Sequence, residues 1–192
     1  MALVLASKSP RRRELMRLVT PLFEVDEADV DERGISADNP AALSLAIALA
    51  KAGDVAARRP RDIIIGCDTV VEVDGATLGK PRDEAQAVEM LTTLSGRRHL
   101  VHTGVGIYLS ESANSAVSFI NTTAVDFAPI PAAEIAAYAK TPEPYDKAGG
   151  YGIQSWAARY ITGVEGCFFN VMGLPVAELY AQLVALGLVF SE

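Results

Sequence analysis

Asp62-Ile63-Ile64-Ile65-Gly66-Cys67-Asp68-Thr69-Val70-Val71-Glu72-Val73 is the stretch on which the fold turns. Three isoleucines and a Val-Val pair are β-branched, and such side chains suit the pleated, buried surface of a strand. Asp74-Gly75 ends the run with a hairpin-type pair. Asp68 sits in the middle. A carboxylate in so apolar a strand is costly to bury unless it is paired, protonated or bound to a metal. It is therefore either half of a buried salt bridge or a group at the strand's edge on a cleft. In the second case it holds a metal or accepts a proton from water.

Upstream, Leu3 to Leu5 reads as a short buried strand, broken by Ser7-Lys8-Ser9-Pro10. A helix follows from about Pro10 to Val19, with Ser9 as N-cap and Pro10 at its first position. Arg11, Arg12 and Arg13 open that helix and oppose its dipole, each at a cost of about 0.3–1 kcal/mol. Either nearby acids pair with them, or they flank an anion. The strand-loop-helix setting favours the anion, because arginine forks and first-turn N–H groups fit phosphate oxygens. Phe23 to Val30 reads as a strand entering an acidic loop that contains Glu32. Pro40 to about Arg58 reads as a long alanine-rich helix carrying Lys51 among apolar neighbours, where a lone lysine is most simply a solvated surface group.

Downstream, Gly79-Lys80-Pro81 holds Lys80 in a tight loop, where its ammonium suits a phosphate oxygen. Asp83 to Leu94 reads as a helix with Ala87, Met90, Leu91 and Leu94 on one face. His99 to Leu109 and Ser115 to Phe127 read as an antiparallel hairpin around Glu111–Asn114. His99 and His102 fall on opposite faces of such a strand and are poor joint metal ligands. Pro131 to Lys140 reads as a short helix. Thr141 to Gly152 is too long and too rich in proline and glycine for a plain connector. Gln154 just beyond offers an amide donor and acceptor that can read the edge of a nucleobase. A last helix, Pro175 to Leu186, is predicted to place Val176, Leu179, Tyr180 and Leu183 on one face. The element order argues for a mixed α/β protein.

The chain has 192 residues, half of them hydrophobic, with a net charge of -7. Duplex nucleic acid needs many Lys and Arg phosphate contacts, so this charge argues against it, while a small anion needs only a few local cations. Cys67 and Cys167 lie far apart, in no metal-ligand spacing, and read as reduced thiols. The apolar start is too short for a secretory signal, and Asn39 to Ala50 is too short to span a bilayer. A soluble, cytoplasmic protein is expected, with no membrane partner. No P-loop, G-x-G-x-x-G fingerprint or serine-hydrolase elbow is present in the sequence.

Taken together, the segments resemble the Maf family of nucleotide pyrophosphatases. The resemblance rests on S-x-S-P-R-R-x-E-L at 7–15, D-T-V-V at 68–71, G-K-P at 79–81 and L-S-G-R-x-H at 94–99. It continues in T-G-V at 103–105, D-K-A-G-x-Y-G-I-Q at 146–154 and V-M-G-L-P at 171–175. It implies one Maf-like domain over 1–192. The implied fold is α/β: a two-lobed mixed twisted sheet with flanking helices and a central cleft, similar to that of the inosine triphosphate pyrophosphatases. A homodimer is implied as well. The implied reaction is hydrolysis between the α and β phosphates, with Asp68 as proton acceptor. Asp68-Thr69 with Ile153-Gln154 resembles the dTTP/UTP branch, and Arg11, Thr69 and Gln154 match its positions of substrate preference. On this reading Ser7, Arg11, Arg12, Lys51, Thr69 and Gln154 bind substrate, and Asp68 and Lys80 are catalytic. Asp68 and Glu32 would hold a divalent cation (Mg, Mn or Co). The alternatives are a pyrophosphatase for 7-methyl-GTP or other purine nucleotides, and a non-catalytic nucleotide-binding regulator of cell division.

Overall fold

The computed structural model of the protein describes residues 1–109 and 116–188. Strands β1 (Leu3–Ala6), β2 (Glu24–Val25), β3 (Ile63–Val73), β4 (Ala76–Leu78), β5 (Arg98–Tyr108), β6 (Ala116–Phe127) and β7 (Ile161–Glu165) form one seven-stranded sheet. Their order is β2-β1-β3-β5-β6-β7, with β4 beside β3. β1 runs parallel to β2 and β3, and the other pairings are antiparallel. Flanking it are α1 (Pro10–Val19), α2 (Pro40–Arg58), α3 (Glu84–Leu94), α4 (Ala132–Ala139), α5 (Phe168–Met172) and α6 (Val176–Ala185). The mixed α/β class is as expected.

β3 organises everything else. One edge pairs continuously with β5, from Ile64 to Glu72. Its other edge is shared: β1 takes Ile63–Gly66 and β4 takes Val71–Val73. Between them, residues 67–70 have no strand partner on that edge among the described residues. The cores divide at the same place. Cys67 packs with Leu5, Leu15, Met16, Leu174 and Leu179, whereas Val71 packs with Leu91, Leu94, Phe127 and Tyr151. Each such side chain contributes about 1.5–3 kcal/mol when fully buried. Asp68 and Thr69 thus stand at the seam between two hydrophobic clusters.

α2 lies directly on the sheet, and glycine makes that possible. A Cβ on Gly66 would meet the Ala48 carbonyl oxygen at 2.2 Å, and one on Gly104 the Leu45 Cα at 2.4 Å. By length and composition α2 could cross a membrane, but here Ile47, Ala48, Ala52 and Val55 are buried.

Several expectations need adjusting. The strand predicted over Phe23–Val30 shrinks to Glu24–Val25. Its acids leave the ladder for ion pairs, Asp26 with Arg58 at 2.6 Å and Glu27 with Arg13 at 2.8 Å. Tyr180 is 47% exposed, although Leu179 and Leu183 on the same helix are buried. The segment after β7 contains the short helix α5, which its sequence did not announce. β5 and β6 pair as predicted, while the turn expected at Glu111–Asn114 lies outside the described residues. The histidines do fall on opposite faces. His99 Nε2 meets the Tyr151 hydroxyl at 2.6 Å, and His102 sits between Glu72 at 2.7 Å and Thr122 at 2.9 Å.

Candidate active site

A cleft of about 430 Å³ opens at the unpaired edge of β3, lined by Asp68, Thr69, Lys51, Glu32, Lys80 and Gln154 among others. A second hollow of about 300 Å³ adds Ser7, Lys8 and Asp29. The two share Ser9, Arg11, Arg12, Glu32, Lys51, Lys80 and Asp146, so they are joined. Every site residue proposed from the sequence lines one or both.

Successive strand residues point to opposite faces, so Asp68 and Thr69 face opposite ways. Asp68 is on the α2 side: its register partner is Gly104, the glycine that admits Leu45 of α2. Thr69 is on the side of α1 and α5. Only a ligand crossing the strand's bare edge can touch both.

On the Asp68 side, Lys51 Nζ lies 2.7 Å from Asp68 Oδ1 and 2.7 Å from Glu32 Oε1. The Lys51 and Asp68 side chains are only 16% and 12% exposed. The salt-bridge reading of Asp68 is therefore correct as geometry, and the bridge opens onto the cleft. Two carboxylates on one ammonium leave a net charge of minus one. No group of three or more His, Cys, Asp or Glu suited to a metal occurs among the described residues. A divalent ion here would have to draw on one or two carboxylates, with water and substrate phosphate completing its shell. Mg²⁺ is commonly bound in that way, so Asp68 and Glu32 fit it.

On the Thr69 side, α1 begins where the sequence places it. Ser9 Oγ accepts the Arg12 N–H at 3.4 Å, and Ser7 Oγ accepts the Ser9 N–H at 3.2 Å. Each of the three arginines has a partner that offsets its place at a helix start. Arg11 pairs with Asp146 at 2.7 Å and Arg13 with Glu27 at 2.8 Å. Arg12 donates Nε to the Gly173 carbonyl at 2.7 Å and Nη2 to Thr69 Oγ1 at 2.9 Å. A guanidinium has five N–H donors, and these contacts use two. Burial pushes the Asp146 carboxyl up, but hydrogen bonds from Lys147 and Arg11 outweigh it and hold it below the usual value.

The glycine-rich segment is tied to the Lys80 loop. Gly149 N–H donates to the Gly79 carbonyl at 2.9 Å. Gly149 has φ 67°, and a Cβ there would press on Val71 at 3.2 Å, so glycine is required. Gln154, exposed, lies at the cleft's edge. Cys67 beside Asp68 takes no visible part: burial pushes its thiol up to about 11.

The sequence reading missed Thr103, Asn170 and Gly173 as partners of the site. Their signal was present, since Thr103 and Gly173 lie within the T-G-V and V-M-G-L-P motifs. Asp146, in the D-K-A-G motif, was also given no role as the partner of Arg11.

The chain matches the profile of the family described as Maf-like protein over residues 2–186. It is 48% identical over 183 residues to a dTTP/UTP pyrophosphatase of Carboxydothermus hydrogenoformans, covering 95% of this chain and 97% of that one. To the dTTP/UTP pyrophosphatase of Symbiobacterium thermophilum it is 46% identical, over 96% of this chain and 94% of that one. The structure of a nucleoside-triphosphatase / dITP/XTP pyrophosphatase from Mycobacterium abscessus superposes with a TM-score of 0.48 at 16% identity, covering 97% of each chain.

Proposed function

The chain belongs to the Maf family, and from that premise we propose that it hydrolyses dTTP and UTP to the monophosphate and pyrophosphate. The observation that carries this reading is the placement of Asp68, paired with Lys51, whose ammonium also holds Glu32, at the bare edge of β3 in a cleft shared with Arg11, Arg12 and Lys80. Phosphoryl chemistry depends on neutralising charge and aligning a nucleophile more than on covalent help. The cations around the joined hollows supply the first. Asp68 supplies the second by accepting the proton of a water aimed at the α phosphorus. The water oxygen bonds to that phosphorus as the bond to the bridging oxygen breaks, and pyrophosphate leaves with the bonding electrons.

Lys51 orients the carboxylate that takes the proton. Arg12 and Lys80 stabilise charge growing on the phosphate oxygens, and Ser7 shapes the turn that presents the arginines. Asp68 and Glu32 would hold a divalent cation, which when bound would neutralise phosphate charge and lower the pKa of a coordinated water. Thr69 and Gln154 read the base from the other face. Hydrolysis of UTP in heavy-oxygen water tests the bond cleaved. Label in UMP supports attack at the α phosphorus, and label only in pyrophosphate contradicts it.

A further inference from the structure

Thr69 is not free to use its hydroxyl as it likes. Arg12 Nη2 donates to Thr69 Oγ1 at 2.9 Å, Thr69 Oγ1 lies 2.9 Å from Thr103 Oγ1, and Thr103 Oγ1 lies 3.0 Å from the Asn170 carbonyl oxygen. Each hydroxyl owns one proton, and a carbonyl owns none. The proton between Thr103 and Asn170 therefore belongs to Thr103. Thr103 then has none left for Thr69, so the proton between the two threonines is Thr69's. A guanidinium only donates. The chain runs one way, from Arg12 through Thr69 and Thr103 to the Asn170 carbonyl. Reversing it would set two oxygen lone pairs against each other where Thr103 and Asn170 are each 0% exposed, and water could not relieve them.

Thr69 is left with one lone pair and no proton to offer the cleft. A fully ionised triphosphate has no proton to match it, so base or sugar is the part of the substrate that can donate to Thr69. The donors that dTTP and UTP share are the N3–H of the base and the 3′-hydroxyl of the sugar. Val71, Val101, Met172 and Gln154 line the same cleft as Thr69, and apolar walls with one amide suit a ring. We infer that Thr103 is a positioning residue that fixes Thr69 as an acceptor for the N3–H of uracil or thymine. Cytosine carries a lone pair at N3 and is repelled there. The inference rests on the dTTP/UTP reading above.

Thr103→Val removes the proton's destination. The Asn170 carbonyl still accepts the Gly173 N–H at 2.9 Å, so it is not orphaned. Thr69 can then turn its proton toward the ligand. The ratio of kcat/KM for UTP over CTP should fall roughly fivefold to tenfold, the worth of one hydrogen bond, and Thr103→Ser should restore it. A merely structural role would slow both substrates together and leave the ratio alone. An unchanged ratio in folded, active Thr103→Val overturns the inference. Should that variant fail to fold, neutron diffraction of the native protein decides. Deuterium on Thr69 aimed at Thr103, with that of Thr103 aimed at Asn170, supports the relay, and deuterium on Thr103 aimed at Thr69 overturns it. A native enzyme without preference for UTP over CTP fails the underlying reading and the base match with it. The neutron map distinguishes that failure from failure of the relay.

Discussion

Lys51 Nζ stands 2.7 Å from Asp68 Oδ1, across the gap between α2 and β3, and the same ammonium holds Glu32. One cation thus positions both carboxylates proposed to hold a metal.

Asp68→Asn should reduce turnover at least a hundredfold while leaving the fold intact, because the amide cannot accept the water's proton. Lys51→Met should do more harm to stability. It leaves a mostly buried carboxylate without its cation, at a cost of no more than about 3 kcal/mol. Steady-state rates with parallel urea denaturation check both. Full activity in folded Asp68→Asn would remove Asp68 from the chemistry.

Gln154→Ala should change preference among bases more than it lowers the best rate. Gln154 is exposed at the cleft, so its loss leaves no buried group unpaired. A panel of triphosphates reads this directly, and an unchanged order of preference would exclude Gln154 from base reading.

Gly66→Ala should destabilise the protein by at least about 1–3 kcal/mol, since the new Cβ meets the backbone of α2 at Ala48 and Ala52. Because Lys51 lies between those residues on α2, activity should fall as well. Thermal melts and UTP turnover measured on one sample test the coupling. A destabilised variant with native kcat would show that α2 shifts without carrying Lys51 away.

Burial pushes the His99 imidazole down to about 4 from the usual 6.5. Between those values the unfolded chain binds the proton and the folded one does not. Stability should therefore decline as pH falls from 6.5 to 4, by up to about 3 kcal/mol, with no contribution to the slope above that window. His99→Phe should lose this component of the slope, whatever its overall stability. Urea midpoints across the acidic range check it, and an equal slope in the variant would contradict it.

Much of this was legible in the chain. The β-branched run marked β3, Ser9-Pro10 gave the start of α1, and the helix read from Pro40 begins there, with Asn39 as an N-cap that only the structure shows. Asp68, Lys80 and Gln154 were legible as chemistry out of place in apolar or tightly turned segments, whereas Lys51 read on its own as a solvated surface group and Thr69 entered only through the family resemblance. The opposed facing of Asp68 and Thr69 follows from strand alternation. The bare edge that lets one ligand reach both does not, because it depends on where β1 stops and β4 begins. The threonine relay was hidden for a similar reason. Thr103 and Asn170 are small polar residues in apolar surroundings, and only register and a distant helix turn show what their hydrogen bonds hold. The fate of the Asp and Glu run after β2 was equally non-local, since its arginine partners come from α1 and α2.

Pyrophosphate release from a panel of nucleoside triphosphates, with magnesium, manganese or cobalt and with chelator, tests the central claim most directly. The account predicts strong release from dTTP and UTP, little from purines, and loss of activity with chelator. No release from any triphosphate by the folded protein would contradict it.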